Sequence, residues 1–173
     1  MNRNVKSALF QGLIKFAFFA AACVLLAALG SFAALGQKAR GEKAANEVRE
    51  SQPPLYRDYK GVSIGMTAEE ARARLGKPMT KGDDQDFYVI SEKETVQVCY
   101  DKSLKVVTIS VDYLAGSDAP DYKAVVGGDI EVKPDGSMYK LIRYADQGFW
   151  VSYYRSASSA AVPTVTITIQ KMT

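Results

Sequence analysis

Residues 16–35 form an apolar run without a single charge, FAFFAAACVLLAALGSFAAL. Twenty residues in a helix rise roughly 30 Å, which matches the hydrocarbon core of a bilayer. Arg3, Lys6 and Lys15 precede the run, and the bias of positive charge toward the cytoplasm places the N-terminus on that side. The pattern therefore predicts a cytoplasmic tail and a transmembrane signal-anchor in residues 1–36, with the folded part outside.

Two other fates of this segment stay open. Small residues in Ser31-Phe32-Ala33 and Ala34-Leu35-Gly36 are suitably spaced for cleavage of a signal peptide. Lipidation of Cys23 would make a lipoprotein, but FAAAC is a poor lipobox and a long apolar run follows the cysteine. The apolar run exceeds the roughly 7–15 residues of a signal-peptide core, which favours a retained anchor.

The segment after the anchor, residues 37–55, is rich in Ala, Glu, Lys and Arg before it reaches Ser51-Gln52-Pro53-Pro54. This composition predicts a polar helix that continues out of the bilayer and ends before the two prolines. The SQPP stretch is expected to be the hinge between the anchor and the folded domain.

A short helix over residues 68–75 is the clearest local prediction. Thr67 and Glu70 form a capping box, in which each side chain can bond the backbone amide of the other. Gly76 suits the end of the helix, and Pro78 prevents its continuation. The expected core-facing residues are Met66, Ala71 and Leu75, and the expected solvent-facing residues are Glu69, Arg72 and Arg74.

Three strand-like segments follow this helix. Phe87–Ser91 is the first, and apolar and polar residues then alternate along Thr95–Tyr100 and Val106–Tyr113. The connections EKE and DKSL are short and polar, as in hairpins. The first part of the domain is therefore predicted to be a helix followed by a three-stranded meander.

The second half repeats this order with weaker signals. The helix would end at Ala124–Gly127, and the strands match those of the first half as follows: Met138–Ile142 with Phe87–Ile90, Phe149–Tyr153 with Val96–Tyr100, and Thr164–Thr168 with Val107–Ser110. A degenerate duplication accounts for the shared order, with units at 56–115 and 116–173. The predicted fold class is α+β, with short helices packed on one face of an antiparallel sheet.

Composition removes several classes of function. The chain has no histidine, which is the commonest general base and transition-metal ligand. The basic excess lies in residues 1–55, whereas residues 56–173 have a net charge of −1, so nucleic-acid binding is not expected. Cys23 and Cys99 are too far apart in the predicted topology to form a disulfide or share a zinc site. We expect no cofactor, no metal and no catalysis.

Other candidate chemistry is weak. Asp83, Asp84 and Asp86 cluster after the first helix, but no glutamate stands at EF-hand spacing, so a solvated turn is expected. Cys99 lies mid-strand, where burial as a small apolar residue is expected.

The segment Val62-Ser63-Ile64-Gly65-Met66-Thr67, the following helix and Leu75-Gly76-Lys77-Pro78 resemble the SmpA/OmlA (BamE-like) family. The hallmark of that family is a Gly-Met-Thr helix start and a Leu-Gly-x-Pro helix end before a small antiparallel sheet. The resemblance covers residues 61–113, and two tandem copies would resemble the β-lactamase-inhibitor-protein (BLIP-like) fold. It implies a non-catalytic binding domain of the cell envelope.

Aromatic residues mark a candidate binding surface on the predicted sheet. Alternation puts Phe149, Val151 and Tyr153 toward the helices, and it puts Trp150 and Tyr154 on the opposite face. Polar residues of other strands would share that opposite face, namely Gln97, Thr108, Ser110, Thr166 and Thr168. Such a surface could dock a partner protein, since aromatic residues dominate interface energetics. Alternatively, Trp150 packs under the SASSAAVP loop.

The functional hypothesis is a membrane-anchored, extracytoplasmic protein-binding module that serves as an accessory or assembly subunit of a membrane protein complex. Its expected location is the bacterial inner membrane, as a single-pass protein with a cytoplasmic N-terminus and a periplasmic domain. The alternative is a secreted or periplasmic BLIP-like enzyme inhibitor, released by signal-peptide cleavage. No small-molecule substrate is evident.

Overall fold

A computed structural model of the chain describes residues 46–48 and 53–173, which belong to the unit Gly41–Thr173. The predicted membrane segment, residues 16–35, lies outside the described residues, as does most of the predicted linker. Within the described part of the chain, no helix is both long enough and apolar enough to cross a membrane.

Strands dominate the described residues. The strands are β1 (Asn46–Val48), β2 (Asp58–Tyr59), β3 (Val62–Ser63), β4 (Thr80–Lys81), β5 (Gln85–Ser91), β6 (Glu94–Tyr100), β7 (Val106–Leu114), β8 (Met138–Tyr144), β9 (Phe149–Arg155) and β10 (Thr164–Lys171). The helices are α1 (Ala68–Leu75) and α2 (Tyr122–Val126), and a 3₁₀ turn (Ala145–Gln147) joins β8 to β9.

One sheet contains eight of these strands in the order β1-β8-β9-β10-β7-β6-β5-β4. All neighbours are antiparallel except β1 and β8, which run parallel. The remaining strands, β2 and β3, form a separate hairpin. The prediction of an α+β fold is confirmed at this level, as a mostly antiparallel sheet with few helices.

The alternation seen in the sequence determines which face of the sheet is buried. Val96 and Val98 on β6 are buried, as are Ile109 and Val111 on β7, whereas the residues between them are partly exposed. Phe149, Val151 and Tyr153 on β9 are also buried, as predicted. The core therefore lies between this face and the two helices, which contribute the buried residues Ala68, Ala71, Val125 and Val126.

Helix α1 has the ends that the sequence predicts. The Thr67 hydroxyl accepts a hydrogen bond from the Glu70 amide at 3.2 Å, and the Glu70 carboxylate accepts one from the Thr67 amide at 2.8 Å. Gly76 ends the helix at a φ of +84°, a backbone conformation that favours glycine. Of the residues expected to face the core, Ala71 is buried, and Met66 and Leu75 are partly buried against it.

The expectation that Arg72 and Asp86 are solvated is wrong. Asp86 is fully buried, because alternation along β5 places it on the same face as Tyr88. Its carboxylate accepts hydrogen bonds from Arg72 Nε at 2.7 Å, Arg72 Nη2 at 3.1 Å, the Tyr100 hydroxyl at 2.7 Å and the Tyr88 hydroxyl at 3.3 Å. The Arg72 guanidinium also lies 5.6 Å from the centre of the Tyr100 ring. Arg72 therefore ties α1 to the sheet.

This cluster changes the protonation of its members. Burial alone would raise the pKa of Asp86, but the hydrogen bonds from Arg72 and Tyr100 together hold it below its usual range. Burial and the neighbouring carboxylate raise the pKa of Tyr88 to about 12. The ion pair therefore stays charged at neutral pH.

Helix α2 is attached differently. It is five residues long and is capped by Asp121, whose carboxylate accepts a hydrogen bond from the Lys123 amide at 2.9 Å. Lys140 on β8 donates to the carbonyl oxygens of Gly127 at 3.2 Å and Asp129 at 3.3 Å, just beyond the helix. The sheet thus contacts the end of α2 through a lysine, whereas it contacts α1 through a buried aspartate.

The helix predicted for the linker is not seen where the structure describes that segment. Asn46–Val48 instead form β1, paired in parallel with Leu141–Arg143 of β8. The edge of β8 offers unpaired backbone groups, and pairing with them outweighs the weak helix propensity of asparagine and valine.

Replacing Arg72 with Met should lower the free energy of unfolding by about 3 kcal/mol, because it leaves the buried Asp86 carboxylate without its cation. Arg74→Met is the matched control, since Arg74 lies exposed on the same helix and donates a long hydrogen bond, 3.4 Å, to the Glu70 carbonyl oxygen. The control should lose less than about 0.5 kcal/mol. Urea denaturation of both variants measures the difference, and equal losses would refute the role given to the ion pair.

Candidate functional site

The face of the sheet opposite the two helices carries the residues that the sequence marks for binding. We define the open face by three rows, each crossing β5, β6, β7, β10, β9 and β8 in that order. The first row is Val89, Thr95, Asp112, Thr166, Tyr154 and Tyr139; the second is Phe87, Gln97, Ser110, Thr168, Ser152 and Leu141; the third is Gln85, Cys99, Thr108, Gln170, Trp150 and Arg143.

All six residues predicted for this site lie on the open face. Tyr154 pairs with Thr166 in the first row, and the hydroxyls of Thr168 and Ser110 lie 3.3 Å apart in the second. In the second row Gln97 also donates to Gln85 at 2.7 Å. Gln170 separates the remaining two, Thr108 and Trp150, in the third row. The register thus brings all six onto one surface, as predicted from alternation.

The alternative position of Trp150, under the SASSAAVP loop, is not observed. The loop follows the end of β9, whereas Trp150 lies at its start, opposite Gln170. Residues of the loop region contact the turn before β8 instead: the Ser158 amide donates to the Asp135 carbonyl oxygen at 3.0 Å. Arg155 likewise donates to the Gly136 carbonyl oxygen at 2.9 Å. Trp150 is therefore part of the open face.

The centre and one side of the open face differ in chemistry. Hydroxyl and amide side chains occupy most of the centre, on β6, β7 and β10. Aromatic residues lie toward β9 and β8, where Tyr154 and Tyr139 are each 42% exposed. Leu141 and Ser152, which pair with each other in the second row next to these tyrosines, are buried. The face thus combines hydrogen-bonding groups with accessible rings.

Two residues of the open face were missed as site candidates. The sequence match between the two halves aligns Tyr139 with Tyr88. In the structure the counterpart of Tyr88 is Ile142, because Ile142 pairs with Val151 on β9 as Tyr88 pairs with Val96 on β6. Tyr139 is three residues from Ile142 and therefore lies on the opposite face of the sheet. Asp112 belongs to the polar side of the β7 alternation, which was the available signal. Cys99, expected in the core, is half-buried on the open face.

Asp112 is the unusual group on this face. Its carboxylate accepts a hydrogen bond of 2.6 Å from the Thr166 hydroxyl. Burial raises the pKa of Asp112, and the hydrogen bond from Thr166 only partly offsets the rise. This behaviour is opposite to that of Asp86, whose pKa is lowered by a guanidinium.

A shallow cleft of about 470 Å³ lies at the end of the first meander. It lies between the β2–β3 hairpin, the β5–β6 turn and residues 116–118. Its polar groups bond one another, since the Tyr59 hydroxyl donates to Glu94 at 2.6 Å and Lys60 lies 3.9 Å from the same carboxylate. Within the described residues, no three carboxylate or thiol side chains converge to hold a metal ion.

Comparison with known proteins identifies no relative. The sequence matches no protein-family model. It matches no curated protein, and the structure matches no solved structure. The functional argument therefore depends on the open face itself.

Replacing Asp112 with Asn should remove the pH dependence that this carboxyl group gives to the stability of the protein. Because the pKa of Asp112 is raised on folding, the wild type gains stability as the pH falls through the folded pKa toward the unfolded one. Asp112→Asn should lack that gain. Thermal melts of both proteins between neutral and mildly acidic pH measure this gain in stability. Protonation of Asp86 at lower pH destabilises both proteins equally, so its contribution cancels when the two melting temperatures are subtracted. Parallel curves would contradict the assignment.

Proposed function

We propose that this chain is a membrane-anchored, extracytoplasmic protein-binding module that acts without catalysis. In this proposal it is an accessory or assembly subunit of a membrane protein complex in the bacterial inner membrane. The observation that carries the proposal is the open face, which spans six strands, has accessible aromatic rings, and is left uncovered by α1 and α2.

The dimensions of the open face suit a protein partner. Six strands and three rows cover roughly 600 Å² at ordinary strand spacings. A standard interface buries about 800 Å² on each partner, so this face supplies most of one. Tyr154, Tyr139 and Trp150 provide the ring area that interfaces concentrate at their strongest contacts.

The membrane anchor is part of the proposal because of the sequence. Residues 16–35 are long enough and apolar enough to cross a bilayer as a helix, and the preceding basic residues favour a cytoplasmic N-terminus. An anchored domain meets its partner in the plane of the membrane, where tethering raises the effective concentration. Weak contacts over a polar face would then be sufficient.

We further propose that the domain is a BamE/BLIP-like tandem of two degenerate repeats. Helix α1 is followed by the two-residue strand β4 and the meander β5–β7, and α2 is followed by the meander β8–β10; the two meanders meet where β7 pairs with β10. Ser110 and Thr168, which are 58 residues apart, match in the sequence alignment of the repeats and also stand directly opposite each other. A local two-fold axis through this pair relates β7 to β10, as expected of a duplicated unit.

The register revises the other correspondences between the repeats. Val96 pairs with Val111 as Val151 pairs with Ile169, so Val151 is the structural counterpart of Val96. The alignment of β6 with β9 therefore shifts by two residues, and the matched side chains stay on the same face of the sheet. The alignment of β5 with β8 shifts by three residues, so the residues matched from sequence lie on opposite faces of the sheet. The connections of the second unit are longer: residues 127–137 join its helix to its meander, against residues 76–84 in the first unit, so the offset between the repeats grows along the chain without changing element order.

Photocrosslinking in native membranes tests the binding role. A photoreactive amino acid at Tyr154 should form crosslinks to a stoichiometric membrane partner, whereas the same probe at Glu69, exposed on α1, should not. Trp150→Ala should reduce the yield from Tyr154, with a cooperative thermal melt as the check that the variant is folded. Crosslinks from Glu69 with none from Tyr154 would place binding on the helix side and overturn the proposal.

N-terminal sequencing of the crosslinked chain distinguishes the two forms of the hypothesis. An intact N-terminus in the membrane fraction is the expected result. A chain that begins near Ala34 or Gln37 in the soluble fraction would instead favour the released BLIP-like inhibitor.

A further inference from the structure

Asp112 is the one charged residue among the open-face positions of the four central strands, β6, β7, β10 and β9. The other eleven are neutral: Thr95, Gln97, Cys99, Thr108, Ser110, Thr166, Thr168, Gln170, Trp150, Ser152 and Tyr154. Arg143 in the third row is on β8, outside these four strands. A single carboxylate among the neutral side chains of the central strands sets the sign of the charge that a partner must bring to that part of the face.

The bonding of this carboxylate is incomplete. An ionised carboxylate can accept about four hydrogen bonds, and Asp112 accepts one from a side chain, from Thr166 at 2.6 Å. Among the described residues, no lysine or arginine forms an ion pair with it. Asp86 shows the contrasting case within the same domain, since two guanidinium nitrogens of Arg72 and two tyrosine hydroxyls surround its carboxylate. Within the part of the chain that the structure describes, Asp112 lacks the cation that Asp86 has.

The row that contains Asp112 also contains the most exposed rings of the open face. Thr166 separates Asp112 from Tyr154, and Tyr139 follows Tyr154 on the next strand. Asp112 and Tyr154 are therefore two strand spacings apart, roughly 10 Å. An extended arginine can contact both, because its aliphatic stem can cover the ring while its head reaches the carboxylate.

We propose that the open face binds its partner through an arginine side chain that lies along this row, with its stem against Tyr154 and its guanidinium on the Asp112 carboxylate. Arginine suits the row better than lysine, because its planar fork matches a carboxylate and stacks on aromatic rings. The inference deepens the proposed function, on which it rests, by naming the group that the partner inserts.

The probe for this inference is N-acetylarginine methylamide, with the uncharged isostere N-acetylcitrulline methylamide as control. Each is titrated into the full-length, detergent-solubilised chain and followed by amide NMR. Arginine should shift the signals of Asp112, Thr166 and Tyr154, and citrulline should bind about tenfold more weakly, the loss of a charge-assisted hydrogen bond. Asp112→Asn should reduce arginine binding to the citrulline level.

Two further variants make the test specific. Tyr154→Leu should weaken arginine binding, and Tyr154→Phe should preserve it, because the contact is made by the ring and not by the hydroxyl. Equal shifts with arginine and citrulline would overturn the inference. So would arginine shifts that are as large at the exposed Asp83 and Asp118 as at Asp112.

The failures of the two proposals differ. A native crosslink from Tyr154 that is unaffected by Asp112→Asn, together with no arginine preference, would refute the arginine subsite and leave the binding role intact. Arginine binding at Asp112 without any native crosslink from the open face would support the subsite and refute the proposed membrane complex.

Discussion

The pairing of β7 with β10 is the interaction on which the rest of the domain depends. Seven residue pairs, from Leu114 with Thr164 to Thr108 with Gln170, join two meanders that would otherwise belong to separate four-stranded sheets, each with one very short edge strand. A sheet of that size with one short helix buries little apolar surface, and small units of that kind are marginally stable. Joined, the two halves share one core on the helix side, and their opposite sides become one continuous open face.

The two helices are held to this sheet by different polar contacts at similar places. Asp86 on β5 accepts hydrogen bonds from the Arg72 guanidinium on α1, and Lys140 on β8 donates to carbonyl oxygens just after α2. The buried pair in the first half must be desolvated, and its benefit depends on the two tyrosine hydroxyls that complete the carboxylate shell. Lys140 is only partly buried, so its contacts incur a smaller desolvation cost. The first half is therefore more sensitive to substitution at a single polar residue.

Local sequence patterns predicted the helices and strands of this fold better than the contacts between them. The Thr67–Glu70 capping box and the alternation along β6 and β7 depend on neighbouring residues, so helix α1 and the face of each strand could be read directly. The bond between Arg72 and Asp86 joins residues on different elements, and in sequence Asp86 resembles its exposed neighbours Asp83 and Asp84. Tertiary pairing, which no local window contains, decided which aspartate was buried. The six predicted open-face residues were placed correctly because strand alternation is also local, whereas Tyr139 depended on the register between strands.

The edges of the sheet have a consequence for work with shortened forms of the protein. Both edge strands are very short: β4 has two residues, and β1 covers only Leu141–Arg143 of β8. Short edge strands limit the backbone that is available for pairing with other molecules. A soluble fragment that starts at residue 53 would keep the core described above but lose β1. It would expose the backbone of β8 to neighbouring chains, so lateral aggregation would increase in solution even though the fold itself is retained.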